Sequence, residues 1–480
     1  MPAPGGQRRA RGPRPWRTAA ALAAAALLPL GAAALGPHEV ALVVNDASME
    51  SILLAQAYAR VRAVPECNVV RVSLPMPEDG SQPVAMTRAD FEEKVFRPVQ
   101  RELDARGLST QILAWVYSCG FPTRVAADEK GLASPGTKDL SVTGATFVRC
   151  VWPSERDVER GLYVSPLFAG PSEPGETPAP AQSFDQARNA MLEDMPLPAS
   201  MLAWTGPRGI GLDDAIAALE RSARGDCDRP EGTVWFAVSG DVRSVCRDWQ
   251  FAAAAAAVDA HDVARAVVAS NTPPATTGPL LGCMAGAADV RIPKKFVPGS
   301  FAEHLTSHAA TFDRPKQTKA VKWMLGGAGF TSGTVAEPYA LWQKFPNAWI
   351  FPRMLDGLTA MEAWYQSVRC PLQQVPFGDP LAKPWAPDIE PTVEGPGEDT
   401  LRGVVEFRAS LPGKNARKMP RFTWLVDGRT AGSGSVFKWN TARWEDGPHA
   451  VRAVVRDERG GIRHQGFFEI AYFVDNGGAP

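Results

Sequence analysis

The feature that most limits how this chain can fold is the alternation of apolar, strand-like runs with segments of helical spacing. The run "EVALVVND" (39–46) is continuously apolar and ends at a turn signal. The segment after it spaces its apolar residues as a helix does, with Asp46 or Ser48 as the cap and Pro65 at its end. This opening predicts the first strand and helix of a parallel α/β sheet.

The same alternation continues through most of the chain. Thr87 caps the next predicted helix, which should be kinked at Pro98. Further strands are predicted at 67–75, 111–120, 199–206, 232–241, 264–270 and 278–286, and further helices at 87–107, 211–225 and 245–260. The fold class is therefore α/β, a mostly parallel sheet of flavodoxin-like type with helices on both faces.

The pattern changes after a segment rich in Pro, Glu and Gly at residues 387–400, which is predicted to be a linker. Short alternating strands separated by Gly, Asp and Pro turns follow at 401–476, typical of a small β-sandwich. The arrangement "FTWLVDG…FKWNT…WEDGPHAVRAVVRDERG" resembles bacterial immunoglobulin-like domains. We therefore expect an α/β domain at 37–386 and an immunoglobulin-like domain after it.

The first 36 residues have the composition of a signal peptide. Five arginines precede an alanine-rich apolar run that ends in small residues, with cleavage expected after Ala34 or Gly36. A membrane anchor is the alternative, although Pro29 interrupts the short apolar run. The segment predicts an exported protein, in the periplasm, on the cell surface or secreted, with no stable membrane span after cleavage.

The charge of the remaining chain limits its partners. Without the five arginines, 46 Lys and Arg face 52 Asp and Glu, a formal charge of −6. A mildly acidic chain without a basic stretch argues against nucleic acid as the partner.

One candidate constellation is "GSFAEHLTSHAA", in which His304 and His308 stand at i and i+4. On a predicted helix these two imidazoles would share a face and could bind zinc. A glutamate does not follow the first histidine, because Leu305 is there, so the metalloprotease order is not met. The alternative is a helix whose histidines contact solvent or neighbours, and no metal site is predicted.

Cys283 in "PLLGCMAG" is the candidate nucleophile. An apolar run would deliver it to a turn of small residues at the carboxyl end of a strand, where a thiol needs exposure and a histidine base. The alternative is a buried, inert cysteine. The seven cysteines have no CxxC spacing and are odd in number, so they do not indicate a disulfide scaffold.

The segments "LGGAGFTSGTVAEPY" and "FGDPLAKPW" are candidates for a ligand crevice. They are predicted to form a strand and the loop at its carboxyl end, where open α/β sheets bind ligands. Gly329, Ser332, Glu337 and Asp379 would line this crevice, and Glu337 is also the second candidate catalytic residue. In the alternative, Glu337 caps a helix and Asp379 holds a turn. Neither GxGxxG nor a phosphate-loop lysine is present, so no cofactor is expected.

Six segments in this order resemble an uncharacterised family of exported bacterial proteins: "VALVVNDASMESILLAQAYARVRAVPECNVV", "ILAWVYSCGFPTRV", "GSFAEHLTS", "GGAGFTSGTVAEPY", "KFPNAWIFPRMLDGLTAMEAWYQSV" and "FGDPLAKPW". The resemblance covers most of residues 38–387. More distantly, the last four resemble the second half of the gingipain-type cysteine peptidase domain, which has a caspase-like α/β fold. This resemblance implies that Cys283 falls near the position of the peptidase nucleophile and that Glu303 lies on the next helix. It also implies that residues 327–329 lie on the following strand and that residues 378–380 close the pattern.

The chain departs from that peptidase pattern at the base. Caspase-like peptidases carry a His-Gly pair just after the strand that precedes the cysteine strand, and here that location reads "VVASNTPPATTG", with His261 at the wrong end. Without an imidazole, a thiol of pKa about 8.5 is mostly protonated at neutral pH. We therefore expect a catalytically silent caspase-like scaffold that binds an extracellular protein or glycan. The alternative is an exported hydrolase with Cys283 as nucleophile.

Overall fold

The structure, a computed structural model, describes residues 34–77, 82–191, 194–275, 277–413 and 420–477. The predicted signal segment therefore lies outside the described residues, except for its last three positions. Ala34 is buried, and its N–H donates to the carbonyl oxygen of Arg463 at 2.5 Å. The segment that enters the first strand is thus packed against the last part of the chain.

The α/β part contains thirteen strands and thirteen α-helices among the described residues. The strands are β1 (Val40–Asn45), β2 (Val69–Val72), β3 (Ala85–Thr87), β4 (Ala114–Tyr117), β5 (Arg124–Ala126), β6 (Leu140–Ser141), β7 (Ala199–Met201), β8 (Gly232–Val238), β9 (Ala264–Ser270), β10 (Leu280–Gly286), β11 (Phe296–Leu305), β12 (Phe330–Thr334) and β13 (Gln374–Gly378). The helices are α1 (Met49–Arg62), α2 (Arg88–Phe91), α3 (Arg97–Ala105), α4 (Glu129–Ala133), α5 (Val142–Phe147), α6 (Glu155–Arg160), α7 (Phe184–Met191), α8 (Leu212–Arg224), α9 (Val242–Val245), α10 (Phe251–Asp259), α11 (Lys322–Gly326), α12 (Ile350–Leu355) and α13 (Ala360–Tyr365).

Ten of these strands form one sheet in the order β2-β1-β4-β7-β13-β12-β11-β10-β8-β9. Strands β1, β2, β4 and β7 pair in parallel, as do β8 to β12, and β13 is antiparallel to β12. The strand order reverses at β1/β4 and again at β8/β10, as in doubly wound sheets. The predicted α/β class and mostly parallel sheet are therefore confirmed.

Local sequence explains the first elements. All six residues of β1 are buried, as expected for a parallel strand covered on both faces. The Ser48 hydroxyl accepts a hydrogen bond from the Ser51 N–H at 3.3 Å and caps α1, and Thr87 caps α2 in the same way. A π-helical turn at Glu92–Phe96 precedes Pro98, because proline supplies no N–H to the helix.

The C-terminal part contains two sheets, in which all strand pairs are antiparallel except β15 with β21. Its strands are β14 (Thr392–Glu394), β15 (Thr400–Leu401), β16 (Val404–Ser410), β17 (Arg421–Val426), β18 (Arg429–Ser433), β19 (Val436–Asn440), β20 (Gly447–Arg459) and β21 (Ile462–Val474). The sheets run β14-β16-β19 and β15-β21-β20-β17-β18. Trp424 of one sheet stacks on Phe437 of the other with ring centroids 5.4 Å apart, so the two sheets share a core. An α/β domain followed by a β domain is therefore confirmed.

The β domain is docked on the α/β domain. Arg456 donates to the Glu39 carboxylate at 2.9 Å, and the Gln111 side chain donates to the Gly428 carbonyl at 2.8 Å. Ile462 is buried in the core of the α/β domain. The segment 387–400 contains β14 and begins β15, so it belongs to the β domain rather than forming a free tether.

Candidate functional site

Cys283 lies in the middle of the sheet. Strand β10 continues for three residues beyond Cys283. Cys283 itself pairs with Trp235 of β8 on one side and with Ala302 of β11 on the other. The side chain has no exposed surface, and burial, together with the negative charge of Glu303, raises the pKa of the thiol far above its ordinary value. Of the two alternatives that the sequence left open, the structure therefore has the buried cysteine and not the exposed cysteine at a strand end.

The small residues around Cys283 serve close packing and form no turn. A side chain at Gly282 would collide with the ring of Phe351, and one at Gly286 would collide with the backbone of Arg243. The glycines let these neighbours lie directly against β10, which is why the apolar run does not stop at the cysteine.

The predicted helix with His304 and His308 on one face is also wrong, because residues 296–305 form strand β11. The resemblance placed Glu303 on a helix, and it too lies on this strand. Buried partners from other elements explain why Glu303 and His304 lie on a strand instead of a helix. Arg247 pairs with Glu303 at 2.5 Å, both side chains being 1% exposed, and Trp323 donates its indole N–H to His304 Nδ1 at 3.0 Å.

The bonds of His304 fix its tautomer. Because Nδ1 accepts from Trp323, Nε2 carries the hydrogen, which it donates to the Thr318 carbonyl at 3.1 Å. Burial lowers the pKa of His304 to about 3, and the nearby positive charges of Arg247 and Lys319 also lower it. This imidazole is neutral and fully hydrogen-bonded, so it is not a free base for the thiol.

The four predicted crevice residues are spread along β12 from one end to the other. Gly329 precedes the strand and accepts a hydrogen bond from the Asp379 N–H at 2.9 Å, whereas Glu337 lies beyond the other end. Ser332 is buried within the strand, and its hydroxyl has no partner among the described residues. The structure therefore does not bring Asp379 and Glu337 into one crevice.

Local roles account for both carboxylates. Glu337 accepts from the N–H of Tyr339 at 2.9 Å in a turn, and no α-helix begins there, so the predicted helix cap is absent at this position. Asp379 accepts a hydrogen bond from the N–H of Leu381 at 3.2 Å and holds the turn after β13, as predicted by the alternative interpretation of the sequence. It also accepts from Tyr58 at 3.1 Å.

A cavity of about 260 Å³ lies at the β8/β10 reversal of strand order. Its polar side chains follow β8, β9 and β10, as expected for ligand crevices at the carboxyl ends of parallel strands. They are Ser239, Asn271, Thr272, Asp289 and Arg291. We call this the switch-point cavity. The turn sequences "SGD" and "SNT" after two predicted strands were the sequence signal for it, but the strand order that joins them is not visible in the sequence.

The carboxyl ends of the two halves of the sheet lie at the same edge. Thr123, which follows β4, donates to the carbonyl oxygen of Ala310, which follows β11, at 3.1 Å. Near this contact, Lys319 donates to the carbonyl oxygens of His308 and Lys316 at 2.9 and 3.0 Å. Burial lowers the pKa of Lys319 to about 8. These bonds hold the loop after β11 in place.

No protein-family model matches the chain, and no curated protein matches it either. Within the described ranges, no group of three or more His, Cys, Asp or Glu side chains is placed to hold a metal ion. None of the helices in the described part of the chain is both long and apolar enough to cross a membrane.

Proposed function

We propose that the chain is an exported binding protein, built on a catalytically silent caspase-like domain and an immunoglobulin-like domain, that binds a protein or glycan in the periplasm or at the cell surface. The observation that carries this proposal is the position of Cys283. A thiol with no exposed surface, in mid-strand, cannot meet a substrate carbonyl without disruption of the sheet.

The electrostatics of the thiol also favour a silent site. A nucleophilic cysteine needs a positive neighbour or an imidazole base that favours the thiolate. Here burial and the carboxylate of Glu303 both disfavour the thiolate, and together they outweigh the positive charge of Arg247, which favours it. His304 on the adjacent strand is occupied by Trp323 and Thr318.

The fold proposals have partial support. The order β9-β8-β10-β11-β12 is a doubly wound arrangement compatible with a caspase-like sheet, and the two packed β sheets are compatible with an immunoglobulin-like sandwich. The switch-point cavity supports ligand binding, because it offers hydroxyl, amide, carboxylate and guanidinium groups at the edge where such sheets bind ligands.

Hydrolysis and binding assays test this proposal together. Wild type and Cys283→Ala are incubated with labelled casein and with cell-envelope polysaccharides, and we expect no hydrolysis above buffer for either. Hydrolysis that is lost in Cys283→Ala would contradict the proposal and support the thiol hydrolase.

The binding assay uses biolayer interferometry against isolated envelope polysaccharides and shed envelope proteins. Thr272→Trp, which puts an indole into the switch-point cavity, should weaken the binding of a ligand held there at least tenfold. Thr392→Trp, at an exposed position of β14, is the matched control and should bind as wild type does.

A further inference from the structure

A large concave surface lies between the two domains. It is a groove of about 950 Å³, within the usual range of ligand pockets, about 300–1,000 Å³. Its α/β side is formed by the segments before β1 and after α3 and by α7, and its β side by β17, β18 and the β20–β21 hairpin. Its charged side chains are Glu39, Asp185, Arg188, Arg421, Arg429, Arg456 and Arg463. We call it the arginine groove.

The arginine groove is positive on an acidic chain. Five guanidinium groups face two carboxylates, a balance of three positive charges, whereas the chain after the predicted signal segment carries a formal charge of −6. Concave basic surfaces concentrate anions and speed their association. The groove is therefore a local departure from the charge of the rest of the molecule.

Two of the five arginines have no ion-pair partner among the residues that the structure describes. Both carboxylates are already engaged, Glu39 with Arg456 at 2.9 Å and Asp185 with Arg463 at 2.9 Å and Arg188 at 3.3 Å. Arg421 and Arg429 are exposed, and neither has a carboxylate partner among the residues that the structure describes. These two guanidinium groups are free to receive an anion from outside.

A buried donor also lines the groove. The Nε2 atom of His38 lies 3.3 Å from the guanidinium of Arg456, which can only donate, so Nδ1 carries the hydrogen. His38 is 2% exposed, and its Nδ1 has no hydrogen-bond partner among the described residues. Buried donors usually find an acceptor, and none of the described residues supplies one to this nitrogen.

The rest of the lining fits a carbohydrate better than a protein. Protein interfaces depend on Trp, Tyr and Arg anchors that fill fully desolvated pockets. In this groove Arg421 and Arg429 are exposed, and the one phenyl, phenol or indole ring of the described lining, that of Phe422, is only 6% exposed. The neutral polar side chains of the groove are suited to sugar hydroxyls. They are Thr110, Gln111, Asn189, Thr423, Thr430 and Ser433.

We infer that the arginine groove binds an acidic oligosaccharide, with the carboxylates of uronic acid units held by Arg421 and Arg429. A planar guanidinium donates two parallel hydrogen bonds to a carboxylate, which gives such a contact both strength and orientation. This inference goes beyond the function proposed above, because it assigns a second site and a ligand class. Hydrolysis by the protein would contradict the silent scaffold without bearing on the groove.

Oligogalacturonate binding to the full-length exported protein tests the inference by calorimetry. Wild type should bind it, and the affinity should fall as NaCl rises, because exposed charges are screened. Arg421→Ala combined with Arg429→Ala should weaken binding at least tenfold. Arg156→Ala combined with Arg443→Ala removes the same charge from exposed positions outside the groove, and should change the affinity less than twofold.

Two further measurements complete the test. One distinguishes the effect of charge from that of the guanidinium geometry, and the other distinguishes an acidic glycan from an acidic peptide and a neutral glycan. Arg421→Lys combined with Arg429→Lys keeps the charge but not the paired donors, so the affinity of this variant should fall between those of the wild type and the double alanine variant. Polyglutamate and neutral dextran oligosaccharides should bind at least tenfold more weakly than oligogalacturonate. Absence of uronate binding, equal binding of polyglutamate, or an unchanged affinity in the double alanine variant would overturn the inference.

Discussion

Asp379 and Arg62 form a buried ion pair across 317 positions of sequence, with Arg62 Nε 3.1 Å from both carboxylate oxygens of Asp379. Arg62 ends the first helix, and Asp379 follows the last strand of the large sheet. The Asp379 side chain has no exposed surface, and Asp226 is the second carboxylate on the same guanidinium. The pair joins the beginning and the end of the α/β domain.

Removal of the charge of Asp379 should destabilise the protein strongly. Asp379→Asn leaves the buried Arg62 guanidinium with one carboxylate, and we expect the free energy of unfolding in urea to fall by about 3 kcal/mol. Glu155→Gln, which breaks the exposed pair with Lys138, should leave the urea midpoint unchanged. Equal midpoints for wild type and Asp379→Asn would show that the pair does not stabilise the fold.

Cysteine labelling should follow burial. In the native protein, an alkylating reagent should modify the four partly exposed cysteines well before the three buried ones, because only exposed thiolates react. The buried set is Cys119, Cys283 and Cys370. Mass spectrometry after timed labelling gives the rates, and the denatured protein gives the reference. Fast native labelling of Cys283 below pH 8 would contradict its buried position.

His304 should make the protein less stable in acid. Its pKa is about 3 in the folded protein and about 6.5 when unfolded, so the unfolded state binds the extra proton between these values. The contribution of neutral His304 to the free energy of unfolding is therefore fully present above pH 6.5. It is lost as the pH falls toward 3, at a rate of up to about 1.4 kcal/mol per pH unit. In urea titrations at pH 7, 6 and 5, the free energy of unfolding of His304→Gln should fall less steeply with decreasing pH than that of the wild type.

His449 should have the opposite effect in the same titrations. Burial lowers its pKa, but hydrogen bonds to the Glu445 carbonyl and the Asp427 carboxylate outweigh burial, so the net shift is upward. Its stabilising contribution is complete below the unfolded pKa and is lost as the pH rises through the folded value. His449→Gln should therefore steepen the loss of stability in acid. The same change of slope in both variants would contradict these assignments.

The two domains should unfold together. Glu39 is buried and receives hydrogen bonds from Arg456 at 2.9 Å and from Gln465 at 2.7 Å, both in the β domain. Calorimetry should therefore show one transition for the wild type. Glu39→Ala should cost about 3 kcal/mol and split the transition in two, because it leaves Arg456 unpaired at the interface. Two transitions in the wild type would contradict a docked β domain.

Prediction from the sequence succeeded where the signal was local. The apolar run of β1 and the capping hydroxyls of Ser48 and Thr87 are recognisable from their neighbours in sequence, and each lies where it was expected. The alternation of strands and helices also predicted the parallel sheet.

Prediction was wrong where distant partners decide the structure. Residues 300–308 have helical spacing of their polar groups, but Arg247 and Trp323, far along the chain, satisfy Glu303 and His304 within a strand. The prediction that Asp379 and Glu337 share one crevice was wrong for a similar reason. Strand β13 enters the sheet between β7 and β12 and places Asp379 at the edge away from Glu337, and nothing in the neighbouring sequence indicates this position.

The contact between Glu39 and Arg456 has a consequence for the order of folding. A residue made near the start of synthesis reaches its final place only after a partner 417 positions later has emerged and folded. The wall of the arginine groove that contains His38 and Glu39 is completed by Arg456 and Arg463 of the same late hairpin. Truncated or stalled chains would therefore lack the groove, so that binding at the proposed site would report on a finished molecule.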